Sequence, residues 1–120
     1  MKPAVTIKEN YEFRRMYAKG KSAVTPNLVM YCRKNNRKNN RLGVTVSTKL
    51  GHAVVRNRAR RRLRELFRLS QPDMLQGYDV LLVARHRTAR APYRMLQRDY
   101  RRAAKKLGLL IENAGQEETK

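Results

Sequence analysis

Seven arginines fall within the thirteen residues Arg56-Asn57-Arg58-Ala59-Arg60-Arg61-Arg62-Leu63-Arg64-Glu65-Leu66-Phe67-Arg68, with a single glutamate to relieve them. Val55, Ala59, Leu63, Leu66 and Phe67 form an apolar stripe at helical spacing, so His52 to Ser70 is predicted to be an amphipathic helix. At about 100° per residue, Arg56, Arg60 and Arg64 make one ridge, with Asn57, Arg61 and Arg68 beside it. Like charges at i,i+4 disfavour an isolated helix by a few tenths of a kcal/mol each. A solvated face would mix in glutamate. This one does not, which points to an external polyanion as the neutraliser. Arginine in preference to lysine suits bidentate contact with phosphate.

Composition carries the same message. Lys and Arg number 29 against 9 Asp and Glu, for a formal charge of +20. Hydrophobic residues are 41% of the chain, too many for a disordered basic tail. With 120 residues, one domain is expected, over residues 1–112, followed by a polar tail at 113–120 that is expected to be disordered. Cys32 is the only cysteine, which excludes a disulfide scaffold. No apolar run reaches the 18 or so residues needed to span a bilayer, and Met1-Lys2-Pro3-Ala4 does not begin a signal peptide. The expected compartment is the cytoplasm, with no membrane partner.

Other elements follow from periodicity. Phe13, Met16 and Tyr17 define one face of a first helix, capped by Thr6 in a capping box with Glu9 or by Asn10, and stopped at Gly20. Leu28 to Arg33 reads as a strand with Leu28, Met30 and Cys32 on one face and Val29, Tyr31 and Arg33 on the other. Leu42 to Ser47 alternates likewise. The wholly polar segment from Lys34 to Arg41 between them predicts a mobile hairpin loop with a basic tip. Tyr78 to Ala84 is a short continuous apolar run, as in a strand buried on both faces. Tyr93, Leu96, Tyr100, Ala103, Ala104, Leu107 and Ile111 outline a last helix. A buried strand between two amphipathic helices predicts an α/β sandwich with a small sheet.

No catalytic constellation of the protein's own is visible. The nine carboxylates show no pair or cluster suited to acid/base or two-metal chemistry. His52 and His86 are isolated, and Cys32 reads as a core thiol beside Leu28 and Met30. No Cys/His set could hold zinc. Phe13, Tyr17 and Tyr31 are ambiguous. Aromatics at this spacing pack cores, but Tyr31 shares its face with Arg33, and single-stranded nucleic acid stacks its bases on rings in basic grooves. Patterning leaves core and groove open.

The stretch Arg41-Leu42-Gly43-Val44-Thr45-Val46-Ser47-Thr48-Lys49-Leu50-Gly51-His52-Ala53-Val54-Val55-Arg56-Asn57-Arg58, running on to Arg64-Glu65, closely resembles the signature of the protein subunit of bacterial ribonuclease P. The Arg-Asn-Arg box at positions 56–58 is its centre. Phe13, Tyr17 and Gly20 match the family's aromatic-aromatic-glycine pattern, and the strand Tyr78 to Ala84 followed by Arg85 also fits. The resemblance covers about residues 7 to 110. It implies an α+β fold of αβββαβα type, with a small mixed four-stranded sheet and a left-handed βαβ crossover. It implies a 1:1 partnership with a large catalytic RNA that removes the 5′ leader of precursor tRNA. Mg2+ held mainly by the RNA would activate the attacking water, with no organic cofactor and no catalytic or metal-binding residue in the protein. Carried over, Arg56, Asn57, Arg58, Arg60, Arg61, Arg64 and Arg68 would dock the catalytic RNA. Phe13, Tyr17, Tyr31 and Arg33 would bind the leader. Arg62 stands where many relatives carry an uncharged residue, and no role transfers to it or to the loop 34–41.

Without that signature, a structural RNA-binding protein such as a small ribosomal protein would fit the composition equally well. A DNA-binding protein fits less well: the arginine helix lacks non-basic base-reading residues, and no dimer element is evident.

Overall fold

The computed structural model describes residues 5–7 and 10–111. The elements run β1 (Val5–Thr6), α1 (Asn10–Lys19), β2 (Lys21–Val24), β3 (Leu28–Lys34), β4 (Arg41–Thr45), α2 (Ala53–Ser70), β5 (Tyr78–Ala84) and α3 (Tyr93–Lys106). One mixed sheet holds all five strands in the order β1-β4-β5-β3-β2. The four strands expected are present, and the two-residue β1 extends the edge by pairing parallel with β4. β5 lies parallel to β4 and antiparallel to β3, and so is central.

Strand alternation divides the side chains into two layers. Leu28, Met30 and Cys32 of β3, Leu42 of β4, and Val80 and Leu82 of β5 form the main core with Ala59, Leu63 and Phe67 of α2 and Leu96, Tyr100 and Ala103 of α3. The opposite face carries Val29, Tyr31 and Arg33, then Gly43 and Thr45, then Leu81 and Val83. α1 crosses this face alone and buries Met16 against it. Cys32 is buried as expected, and burial pushes its thiol pKa up, with nearby Lys21 opposing.

Two glycines permit the close seating of α1. A Cβ on Gly43 would stand 2.6 Å from Phe13 Cε1 and 3.3 Å from a Leu81 methyl carbon. A Cβ on Gly20 would meet the Met16 and Cys32 carbonyl oxygens at 2.6 and 3.0 Å. Gly20 therefore ends α1 through tight backbone approach, with its N–H donating to Met16 O at 2.9 Å.

Three expectations need correction. β3 and β4 do not form a hairpin, because β5 lies between them. The connecting loop arches over the start of β5 and is tied down at both ends. Asn35 N donates to Gly77 O at 2.9 Å, and Tyr78 N donates to Asn40 Oδ1 at 2.9 Å. Asn40, itself buried, also donates to Leu75 O and Gln71 Oε1. Helix α3 stops at Lys106 rather than continuing to Ile111. Leu109 N reaches back to Ala104 O at 2.9 Å, and the chain turns to pair Leu110 with Met74, leaving Ile111 exposed. Thr6 belongs to β1, not to a helix cap; Glu9, its proposed capping partner, lies outside the described residues. So does the tail from residue 112.

Candidate nucleic-acid interface

α2 presents its apolar stripe to the sheet, with Ala59, Leu63, Leu66 and Phe67 buried. The outward side is an open groove lined by Asn57, Arg60, Arg61, Arg64, Glu65 and Arg68. Arg60 Nη1 donates to Asn57 Oδ1 at 3.0 Å, which orients both side chains along the groove. Arg68 pairs with Glu65, whose carboxyl is held below its ordinary value mainly by that hydrogen bond. Five of the seven residues assigned to RNA docking thus meet in one groove.

Arg56 and Arg58 lie outside it. Arg58 is exposed, while Arg56 is half-buried with its Nε enclosed and without a hydrogen-bond partner. Arg62 has a structural task that the sequence did not reveal. Its Nη1 donates to Thr88 O at 3.0 Å and to Ala91 O at 2.6 Å, docking the loop before α3 onto α2. Desolvation, with Arg58 and Arg61 nearby, lowers its pKa. The same loop is fixed from the other side: Thr88 Oγ1 donates to Asn27 O at 2.5 Å, and Arg85 Nη1 to Thr25 O at 2.9 Å.

On the α1 side of the sheet, Phe13, Tyr17 and Tyr31 come together. The Tyr17 and Tyr31 rings meet edge to face with centroids 5.0 Å apart. Phe13 is wedged on Gly43 and Leu81. Tyr17 is 46% exposed, so this ring is the one most available to a ligand. Beyond it the sheet surface runs on through the partly exposed Val29, Thr45 and Val83 and the exposed Val24. Arg33 does not join this group. It lies toward the other flank of α1, with Tyr11 and Arg15. His52 caps α2 without a side-chain hydrogen bond, and His86 is exposed.

A charged frame that sequence reading missed sits beneath the start of α1. Arg41 grips Asp79 with two hydrogen bonds, Nε to Oδ1 at 2.8 Å and Nη2 to Oδ2 at 2.7 Å. Its Nη2 also reaches Glu12 Oε1 at 3.0 Å, and Asn35 Nδ2 donates to Asp79 Oδ1 at 2.9 Å. Burial alone would push the Asp79 carboxyl up, but the hydrogen bonds from Arg41 and Asn35 and the Arg41 charge outweigh it and hold the pKa below its ordinary value. A depressed carboxyl pKa adds stability above its unfolded value of about 3.9 and loses it as pH falls through the folded value. Asp79→Asn should therefore cost about 3 kcal/mol near pH 7, the lower end for breaking a buried pair, since each partner keeps 13% exposure. The gap between wild type and variant should shrink below about pH 4. Thermal melts at pH 7 and pH 3 check this, and a constant gap would count against it.

The described residues contain no group of three or more His, Cys, Asp and Glu able to hold a metal ion. Glu12 and Asp79, close together, are already engaged by Arg41. The site does not fit a magnesium ion held by protein ligands. Among the described residues no helix is long and apolar enough to cross a membrane.

An arginine groove on one helix and a half-covered aromatic sheet face define a small basic α+β protein built around a polyanion surface. The comparisons with known proteins narrow that class. Residues 1–108 match the family model described as Ribonuclease P. The chain is 43% identical over 113 residues to the "Ribonuclease P protein component" of Natranaerobius thermophilus, covering 94% of this chain and 98% of that one. Among solved structures, the Staphylococcus aureus RNase P protein superposes with a TM-score of 0.79 at 31% identity, covering 90% of this chain and 99% of that one. The Thermotoga maritima RNase P protein gives 0.73 at 26% identity, covering 81% and 92%. The chain belongs to the ribonuclease P protein family.

Proposed function

We propose that this chain is the protein subunit of a cytoplasmic ribonuclease P ribonucleoprotein. It binds a catalytic RNA, 1:1, and the 5′ leader of precursor tRNA, and so supports endonucleolytic removal of the leader. The observation that carries this reading is the arginine groove of α2, in a chain whose family match spans residues 1–108. Asn57, Arg60, Arg61, Arg64 and Arg68, with Arg56 and Arg58 at the near end of the helix, hold RNA phosphates. Guanidinium forks match phosphate oxygens and lose little hydration on pairing. Phe13, Tyr17 and Tyr31 stack leader bases, and stacking tolerates any base because each has a π-face. Arg33 serves the leader in this reading only if the strand passes round α1. The protein adds binding and positioning, while the RNA and the Mg2+ it holds carry the hydrolysis.

Reconstitution tests the proposal. The purified protein, with or without magnesium, should leave precursor tRNA intact. Added to ribonuclease P RNA at low magnesium, it should raise the rate of leader removal and tighten substrate binding. Cleavage by RNA-free protein, or no effect on the RNA reaction, would refute it.

A further inference from the structure

Helix α1 has two flanks, and the aromatic surface uses only one. Phe13 and Tyr17 sit four residues apart on the flank facing Gly43, Leu81 and Tyr31. Tyr11 and Arg15, also four apart, project from the other flank, toward the loop between β3 and β4. There a pocket of about 290 Å³ opens between α1 and the loop, with Arg15, Arg33, Lys34 and Arg37 on its walls. Glu12 and Asp79 are its two carboxylates, and Arg41 holds both. Arg15, Arg33, Lys34 and Arg37 make no ion pair with a carboxylate among the described residues. Arg15 leans over the exposed Tyr11 ring, its guanidinium carbon 5.8 Å from the centroid.

The loop that carries Arg37 is built to hold position. Asn35 Nδ2 is fixed by Asp79 Oδ1 and by Asn39 O at 3.2 Å, and Asn35 Oδ1 accepts from Arg37 N at 2.8 Å. Asn36 adopts a left-handed backbone (φ 58°), which asparagine tolerates better than most residues. Four uncompensated cations are therefore gathered on three elements whose backbones are tied together. Self-repulsion on that scale is relieved by an anion with several oxygens.

We propose that this pocket binds a phosphodiester of RNA, as a site separate from both the α2 groove and the aromatic face. Arg33 and Arg37 grip the phosphate oxygens from strand and loop, and Arg15 closes the site from α1. The phosphate could belong to the ribonuclease P RNA or to a leader strand passing round α1. The chemistry is the same, and the choice of RNA probes rests on the function proposed above.

The test measures affinity against salt for wild type, Arg33→Gln/Arg37→Gln and Arg15→Gln. The control, Arg94→Gln/Arg102→Gln, removes equal charge from exposed positions of α3. One arm uses full-length ribonuclease P RNA with protein alone. The other uses the holoenzyme with precursor tRNA carrying a long leader or a one-nucleotide leader. In one arm the pocket double variant should flatten the log K against log salt slope by about one to two units, at about 0.7–0.9 per lost phosphate contact. Arg15→Gln should flatten it by about half as much, and the control should change it less than either. A change in the first arm assigns the phosphate to the catalytic RNA; a change confined to the long-leader substrate assigns it to the leader. Slopes equal to the control in both arms would overturn the pocket while leaving the proposed function standing. Failure of wild type to bind either RNA would sink both. Thermal melts of each variant separate loss of contact from loss of fold.

Discussion

Replacing Arg60 and Arg64 together with glutamine should flatten the salt dependence of binding to ribonuclease P RNA by one to two units and weaken binding roughly 100-fold near 0.1 M salt. Both side chains line the α2 groove, one helical turn apart. If the helix as a whole neutralises about six to eight phosphates, each contact contributes about 0.7–0.9 to the slope, and two are removed. A hydrogen bond to a charged group contributes about 1.5–3 kcal/mol, so two lost contacts amount to a factor of 100 or more. Stability should hardly move. Neither residue belongs to the buried stripe of Ala59, Leu63, Leu66 and Phe67, and the Arg60–Asn57 bond is exposed. Removing like charge at i,i+4 should even favour the helix slightly. Salt titrations beside thermal melts check both halves. An unchanged slope would mean that this ridge faces water.

Features set by local periodicity were legible in the sequence, and those set by distant pairing were not. The α2 stripe is a repeat within one helix, and its residues are buried where the spacing places them. β5 reads as a continuous apolar run because it is the central strand, with neighbours on both sides. Cys32 follows from the alternation Leu28, Met30, Cys32. The mistaken hairpin arose because adjacency in sequence favours pairing, whereas here a strand more than 30 residues later inserts between β3 and β4. Arg41 and Asp79, 38 residues apart, meet for the same reason, and no local pattern marks them as partners. Arg62 was indistinguishable from its neighbours on the helical wheel until the loop holding Thr88 and Ala91 came to lie against it. The aromatic question was undecidable from spacing because both answers apply: Phe13 is wedged against the sheet, while Tyr17 is half exposed.

That division between Phe13 and Tyr17 turns the leader interaction into a measurable difference. Tyr17→Ala removes an edge-to-face contact with Tyr31 that contributes about 0.5–1.5 kcal/mol, so the fold should survive with a small loss of Tm. If Tyr17 stacks a leader base, the same change should cost about 1–3 kcal/mol of binding, or roughly 5- to 150-fold. The loss should appear only with precursor tRNA whose leader is several nucleotides long. Mature tRNA, or a precursor with a one-nucleotide leader, should bind the holoenzyme almost as before, because neither reaches the ring. Phe13→Ala supplies the contrast. It empties the seat above Gly43 and Leu81, so about 3 kcal/mol or more of stability should go, as for buried aromatics, and every substrate should weaken alike. A leader-length series with both variants, run beside thermal melts, separates the two cases. An equal loss at every leader length for Tyr17→Ala, with a Tm lowered as far as that of Phe13→Ala, would return Tyr17 to the core. A leader-dependent loss with a nearly unchanged Tm would assign recognition of the departing strand to the protein.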